Sequence, residues 1–371
     1  MSQSKSANTT FALDLFRHSY GAAKDKKVQI SPFSIRRALS MTALGARGST
    51  LQSFRDAFAL DSSVDIAGVH AANKDTADYL LCAESKGKSP TEISIANALW
   101  LRKDDGKGYI FVPEFIAQNR SWYDAVVRDN LPMDASTLAE INAWCDKSTK
   151  GKITKILDQM PDDPQAFLTD ALYMKTPANK RFYKRNDTKG KFKLADGSEK
   201  DVTFMTNPAG KFRYFEGDGV EVLQFPFGER GVFNAYIVLP SQTSSLDAAV
   251  KSLTAENWLG WKGSLEMAEG QLRLAPNEQE HGGEMKAALV KMGLGLAFSD
   301  AADFQAMCSG GIKIGCVKHK TYTKFMRKGF EGAAVTLVGM TRTTSVRPRL
   351  TKNFDLLVNR PYAWFVEGGD E

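Results

Sequence analysis

Four histidines, four cysteines and a scatter of paired carboxylates are the residues of this 371-residue chain that chemistry would need to recruit. A catalytic nucleophile wants a base within hydrogen-bond reach, and a metal wants ligands at repeating spacings. His18, His70, His281 and His319 are scattered. No G-x-S-x-G elbow, Walker loop, G-x-G-x-x-G after a strand or H-E-x-x-H helix occurs. His281 sits in "NEQEHGGE", where carboxylates could suggest a metal, but two glycines and polar neighbours read better as a solvated turn. His319 lies in an apolar-flanked alternating stretch and reads as a hydrogen-bonded core histidine. Asp104-Asp105 and Asp162-Asp163 stand beside Gly106 and Pro164, which marks turns rather than an acid/base pair. Cys82, Cys145, Cys308 and Cys316 show no C-x-x-C spacing and are expected to stay thiols. Neither catalysis, a metal nor an organic cofactor is therefore expected. What remains is a small-residue ribbon, "GFEGAAVTLVGMTRT" from Gly329 to Thr343, which reads either as a buried strand or as a segment that has to move.

The elements around that ribbon are legible from periodicity. "TTFALDLFRHSYGAA", "FSIRRALSMTALGA", "STLQSFRDAFAL", "DIAGVHAANKDTADYLLCA", "VPEFIAQNRSWY" and "ASTLAEINAWCDKSTKG" read as helices, the third opened by Ser49 or Thr50. "VQIS" reads as a short extended piece. "EISIANALWLR" alternates as a strand should, and from about Phe167 strands dominate: "AFLTDALYM", "KGKFKLA", "DVTFMT", "FRYFEG", "VEVLQFPF" and "NAYIVLP". Helices first and strands later, without repeat or linker, predict one α+β domain over 1–371. The 49 basic against 43 acidic residues leave a formal charge of +6 without a dense basic run, which argues against nucleic acid as a partner. The N-terminus turns from polar directly into a helical pattern, so neither a signal peptide nor a membrane span is expected. A cytoplasmic protein follows, with secretion open only to a route without a classical signal. The glycosylation-type triplets at Asn8, Asn119 and Asn186 then read as incidental.

Along nearly its whole length the chain resembles a serpin. "ISPFSIRRALSMTALGARGST" is similar to the family's segment entering the second helix, including Ser31 and Ser34. "INAWCDKSTKGKI" resembles its N-x-W-x-x-x-x-T-x-G-K-I motif, with Asn142, Trp144, Thr149, Gly151, Lys152 and Ile153 matching. "DALYMK", "VLQFPF", "YIVLP" and "VNRPYAWFV" resemble its later strands in the same order. "SANTTFALDLFR" is similar to the opening of the intracellular, ovalbumin-like branch. The resemblance implies about nine helices around three mostly antiparallel sheets, a monomer, and an exposed reactive-centre loop at about 329–350. A target serine protease, or a cysteine protease that also passes through an acyl intermediate, would attack that loop and be trapped as the cleaved loop inserts into the main sheet.

On this resemblance the hinge is Gly329, Phe330, Glu331, Gly332, Ala333, Ala334, Val335 and Thr336, and the shutter over which the sheet opens is Ser31, Ser34, Asp170 and His319. Counting about fourteen residues on from Gly329 reaches Thr343, and the adjacent Arg342 is the one basic side chain of the ribbon, so Arg342-Thr343 is the expected reactive bond, suited to a trypsin-like enzyme, with Thr343-Thr344 and Arg347-Pro348 behind it. A solvated loop arginine is the other reading of Arg342. Several positions depart from the family. Phe330 replaces a small hydroxyl residue, where overpacking would cost about 1–3 kcal/mol. Gly332 replaces an alanine, Asp170 an asparagine, Ala178 a tryptophan, and Arg327-Lys328 an acidic pair. The family's final strand is not found after "WFVEGGDE". These departures keep open a non-inhibitory serpin-fold binding protein or chaperone. The region "DIAGVHAANKDTADYLLC" lacks a basic cluster, so a glycosaminoglycan is not expected as a partner.

Overall fold

The computed structural model describes residues 2–61, 64–82, 91–104, 106, 108–180, 182–228, 233–333 and 352–368. Nine α-helices lie among them: α1 (Ser2–Ala22), α2 (Pro32–Ala43), α3 (Gly48–Ala57), α4 (Ile66–Cys82), α5 (Pro113–Tyr123), α6 (Ala135–Ser148), α7 (Leu246–Ser252), α8 (Ala255–Gly263) and α9 (Lys286–Lys291). The strands are β1 (Glu92–Arg102), β2 (Val126–Leu131), β3 (Ala166–Pro177), β4 (Thr188–Lys193), β5 (Glu199–Gly217), β6 (Val220–Phe227), β7 (Phe233–Pro240), β8 (Glu266–Leu274), β9 (Asn277–Glu284), β10 (Lys318–Met326), β11 (Gly329–Ala333), β12 (Lys352–Val358) and β13 (Ala363–Gly368).

Local chemistry starts the central helix. Ser31 caps α2, its hydroxyl accepting the Ser34 N–H at 3.2 Å, and Pro32 fills a first-turn position whose missing N–H would have had no helical partner. Eleven of the twelve α2 residues are buried, so this helix is a core element. Its Ile35 and Leu39 join Phe11 and Leu15 of α1 and Leu99 and Leu101 of β1 in one apolar cluster.

A six-stranded sheet runs β2-β1-β3-β11-β10-β9, and a second path runs β12-β8-β5-β6-β7-β13 with β4 on β5. Pairing is antiparallel except for β1-β2 and β12-β8, which are parallel. The second and third expected sheets are thus joined through β5, which kinks at a register shift between Asn207 and Gly210. "DVTFMT" and "FRYFEG" are therefore one strand. A second apolar cluster fills the space between the six-stranded sheet and this joined layer, with Met174, Phe325 and Phe330 facing Phe212, Phe225 and Phe227.

Three local expectations are corrected. "VQIS" forms no strand. Helix α3 begins at Gly48 after Arg47 rather than at a Ser49 or Thr50 cap, because the Thr50 hydroxyl instead accepts the Asp303 N–H at 2.8 Å. "NEQEHGGE" is strand β9 rather than a turn, with His281 opposite Thr321. Its carboxylates are matched across the pair: Glu278 to Lys324 at 2.8 Å, Glu280 to Lys320 at 2.8 Å and Glu284 to Lys318 at 3.2 Å. Opposed charges across a ladder stabilise a strand whose own residues are poor strand formers.

Candidate functional site

Strand β11, the first five residues of the segment expected to be exposed, lies inside the six-stranded sheet. Gly329 to Gly332 pair with Pro177 to Met174 of β3, and Gly329 to Ala333 pair with Met326 to Tyr322 of β10. The chain enters through Gly329 at φ 151°, where an added Cβ would stand 2.2 Å from the Thr176 carbonyl oxygen. Only glycine fits a positive φ and so close an approach. Beside it, the Ala178 N–H donates to the Lys328 carbonyl at 2.8 Å.

Phe330 and Gly332 form one packing unit. Phe330 is 2% exposed, its ring 6.0 Å from Phe227 and 5.6 Å from Trp364. A Cβ on Gly332 would come within 2.5 Å of the Phe330 ring. The ring thus lies in space that an alanine at position 332 would take. The overpacking expected of Phe330 is relieved by its neighbour two residues on, and the two departures from the family pattern compensate each other.

Glu331 points to the other face. It accepts the Tyr173 hydroxyl at 3.0 Å and pairs with Lys152 at 3.3 Å. Burial and the Glu331 carboxylate both raise the Tyr173 pKa, so the phenol stays a donor. Lys152 also stands 5.2 Å over the Tyr322 ring, which ties the segment after α6 to β3, β11 and β10 together. Arg327 forms a close ion pair with Asp187, so the basic residue before the hinge is matched locally.

Below β11 the described strands leave the sheet open. Among the described residues, β3 from Ala166 to Tyr173 and β10 from Lys318 to Thr321 have no strand partner on their facing edges. A cavity of about 380 Å³ occupies that gap, walled by residues 161–172 and 311–320 and backed by α2. Ser34, Asp170 and His319 line it. The Ser31 N–H donates to His319 Nε2 at 2.9 Å, and the Ser31 and Ser34 hydroxyls are 3.2 Å apart. Because Nε2 accepts, the ring proton sits on Nδ1. Burial, with His281 adding repulsion, lowers the His319 pKa to about 3, so it is neutral at physiological pH. Asp170 is salt-bridged to Arg37 of α2 at 3.1 Å, both side chains buried. Burial raises the Asp170 pKa to about 6, opposed by Arg37 and the Ser34 hydroxyl.

The structure therefore brings Ser31, Ser34, Asp170 and His319 together at the gap and the described hinge residues to its upper end. Ala334, Val335, Thr336, Arg342 and Thr343 lie outside the described residues. Sequence reasoning missed Arg37 and Tyr173, and matched Lys152 to a motif without giving it a partner; the signal for Arg37 was a charged residue within the apolar periodicity of α2. Among the described residues no cluster of three or more metal-ligating side chains occurs, the four cysteines are free, and no helix is long and apolar enough to cross a membrane.

A family model described as serpin (serine protease inhibitor) matches residues 6–370. The chain is 29% identical over 380 residues to leukocyte elastase inhibitor A of Mus musculus, covering 99% of this chain and 96% of that protein. It is 26% identical over 385 residues to serpin B4 of Homo sapiens, again covering 99% and 96%. Among solved structures, the thermophilic serpin tengpin in its native state matches with a TM-score of 0.81 at 23% identity, over 98% of this chain and 89% of that one. Tengpin in its latent state matches with a TM-score of 0.78 at 23% identity, over 90% and 88%. At that identity these structures carry the fold.

Proposed function

Because the chain belongs to the serpin family, we propose that it is a suicide-substrate inhibitor of a serine endopeptidase rather than an enzyme, acting inside the cell as a monomer. The protease attacks the segment after β11 and forms an acyl-enzyme. The cleaved segment then continues β11 down the open gap, carrying the enzyme with it and distorting it before water can release the acyl group. The observation that carries this reading is the opening below β11, where among the described residues β3 and β10 have unpartnered facing edges and a cavity of about 380 Å³ lies between them. A strand added there gains ladder hydrogen bonds on both sides and apolar contacts, which is the driving force of strand insertion.

Arg342-Thr343 is the scissile bond of this reading, the guanidinium matching the acidic primary pocket of a trypsin-like enzyme. Incubation with trypsin is expected to yield a complex that survives boiling in SDS, with the new terminus at Thr343 by mass spectrometry, and Arg342→Ala is expected to lose it. Clean cleavage at that bond without any covalent complex would replace the inhibitor by a binding protein on the same fold.

A further inference from the structure

Two adjacent arginines of α2 are buried, and among the described residues only one of them has an anion. Arg37 is paired with Asp170, whereas Arg36, 6% exposed, has no carboxylate among the described residues within ion-pair distance. Its NH1 donates to the Phe58 carbonyl at 3.2 Å, and its guanidinium carbon stands 4.6 Å from the Phe58 ring centroid and 5.3 Å from that of Phe11. These contacts offset part of the cost of burying a cation, but its Nε is buried with no partner. Arg36 lines a cleft of about 420 Å³ between α1, α4 and the turn after α3, on the other side of α2 from the gap in the sheet.

The walls of the cleft describe what it would take. Leu60, Val64, Val69 and Ala72 supply an apolar surface, and Asn8 of α1 offers an amide that no described residue engages. Asp61 stands at the rim, exposed to solvent, where it disfavours an ion of high negative charge. With NH1 committed to Phe58, the opposite edge of the guanidinium fork is the one without an acceptor, and a carboxylate is its natural complement. We infer that this cleft binds a small monocarboxylate with an apolar body, its carboxylate on Arg36 and its hydrocarbon against Leu60, Val64 and Val69. Burial lowers the Arg36 pKa to about 10, so the residue remains cationic at neutral pH and available to such an ion.

The test is a titration of the full chain with sodium hexanoate, followed by calorimetry and by melting temperature. One saturable site of millimolar affinity and a rise in Tm of about 2–4 °C at saturation are expected, with no such response to hexan-1-ol or inorganic phosphate. Arg36→Met, which keeps the aliphatic stem, is expected to abolish the response. Should that variant fail to fold, Ala72→Phe, which fills the cleft without touching the charge, carries the same expectation. Absence of saturation, an equal response to hexan-1-ol or to phosphate, or unchanged binding in folded Ala72→Phe would overturn the assignment. Because the cleft lies apart from the hinge, the result is independent of whether the chain traps a protease.

Discussion

Phe330 and Gly332 show how one residue's departure from a family pattern is explained by another. The ring sits over the glycine, so the pair should be energetically coupled. Gly332→Ala is expected to destabilise the chain by about 1–2 kcal/mol, and to do almost nothing in a Phe330→Thr background, a coupling of about 1 kcal/mol in urea denaturation. Equal effects in both backgrounds would contradict the packing account. Gly329→Ala should be worse than either, since the added methyl meets backbone at Thr176 and cannot be relieved by a side-chain shift. The shutter histidine makes a pH prediction. His319 stays neutral in the fold down to about 3, while an unfolded histidine takes a proton near 6.5. Below about pH 6.5 the unfolded chain therefore binds more protons, and stability falls as pH drops through that window. Asp170 acts with the opposite sign. Its folded pKa of about 6 lies above the unfolded value, so the fold binds the extra proton between about pH 6 and 4 and regains stability there. His319→Gln, which can still accept the Ser31 N–H, should flatten the acid loss. A variant with the wild-type pH slope would remove His319 from the account. Buried His70, with its pKa lowered to about 4, supplies a remaining slope of the same sign as that of His319.

At the scale of elements, what the sequence made legible followed from its strongest periodicities. Helices α1 to α6 and the strands from β3 to β7 carry apolar repeats that name their own type, and β1 alternates clearly. Strand β9 did not, because its stability comes from lysines of β10 forty residues away rather than from its own side chains. The start of α3 was misplaced for the same reason: a cap hydroxyl was recruited by a distant backbone N–H. The shutter residues were readable only through resemblance, and Arg37 stayed hidden because its partner lies 133 positions on. Insertion of β11 was likewise invisible, since a ribbon of small residues fits either a sheet or a loop. Its hold on the sheet now has a test. Tyr173→Phe and Lys152→Ala each remove one partner of Glu331, and each should weaken protection of amides 329–333 by about 0.5–1.5 kcal/mol in hydrogen exchange. Protection unchanged in both would mean that Phe330 alone anchors the strand.

In the molecule as a whole, the described strands leave one strand position between β3 and β10 unfilled. The upper end is occupied by β11, anchored on one face by Phe330 and on the other by Glu331, and the lower part is lined by the shutter. Extending β11 by a strand of about ten residues would add roughly ten backbone hydrogen bonds, each worth about 1 kcal/mol net. For a chain of 371 residues, with an unfolding entropy of about 2.1 cal/mol/K per residue, that corresponds to a rise in melting temperature of about 13 °C. The direct measurement is therefore the Tm of the chain before and after a single cut between 336 and 350, with both fragments retained. A rise of that order is expected; a cut chain that melts at the temperature of the intact one would rule out insertion of the cut segment.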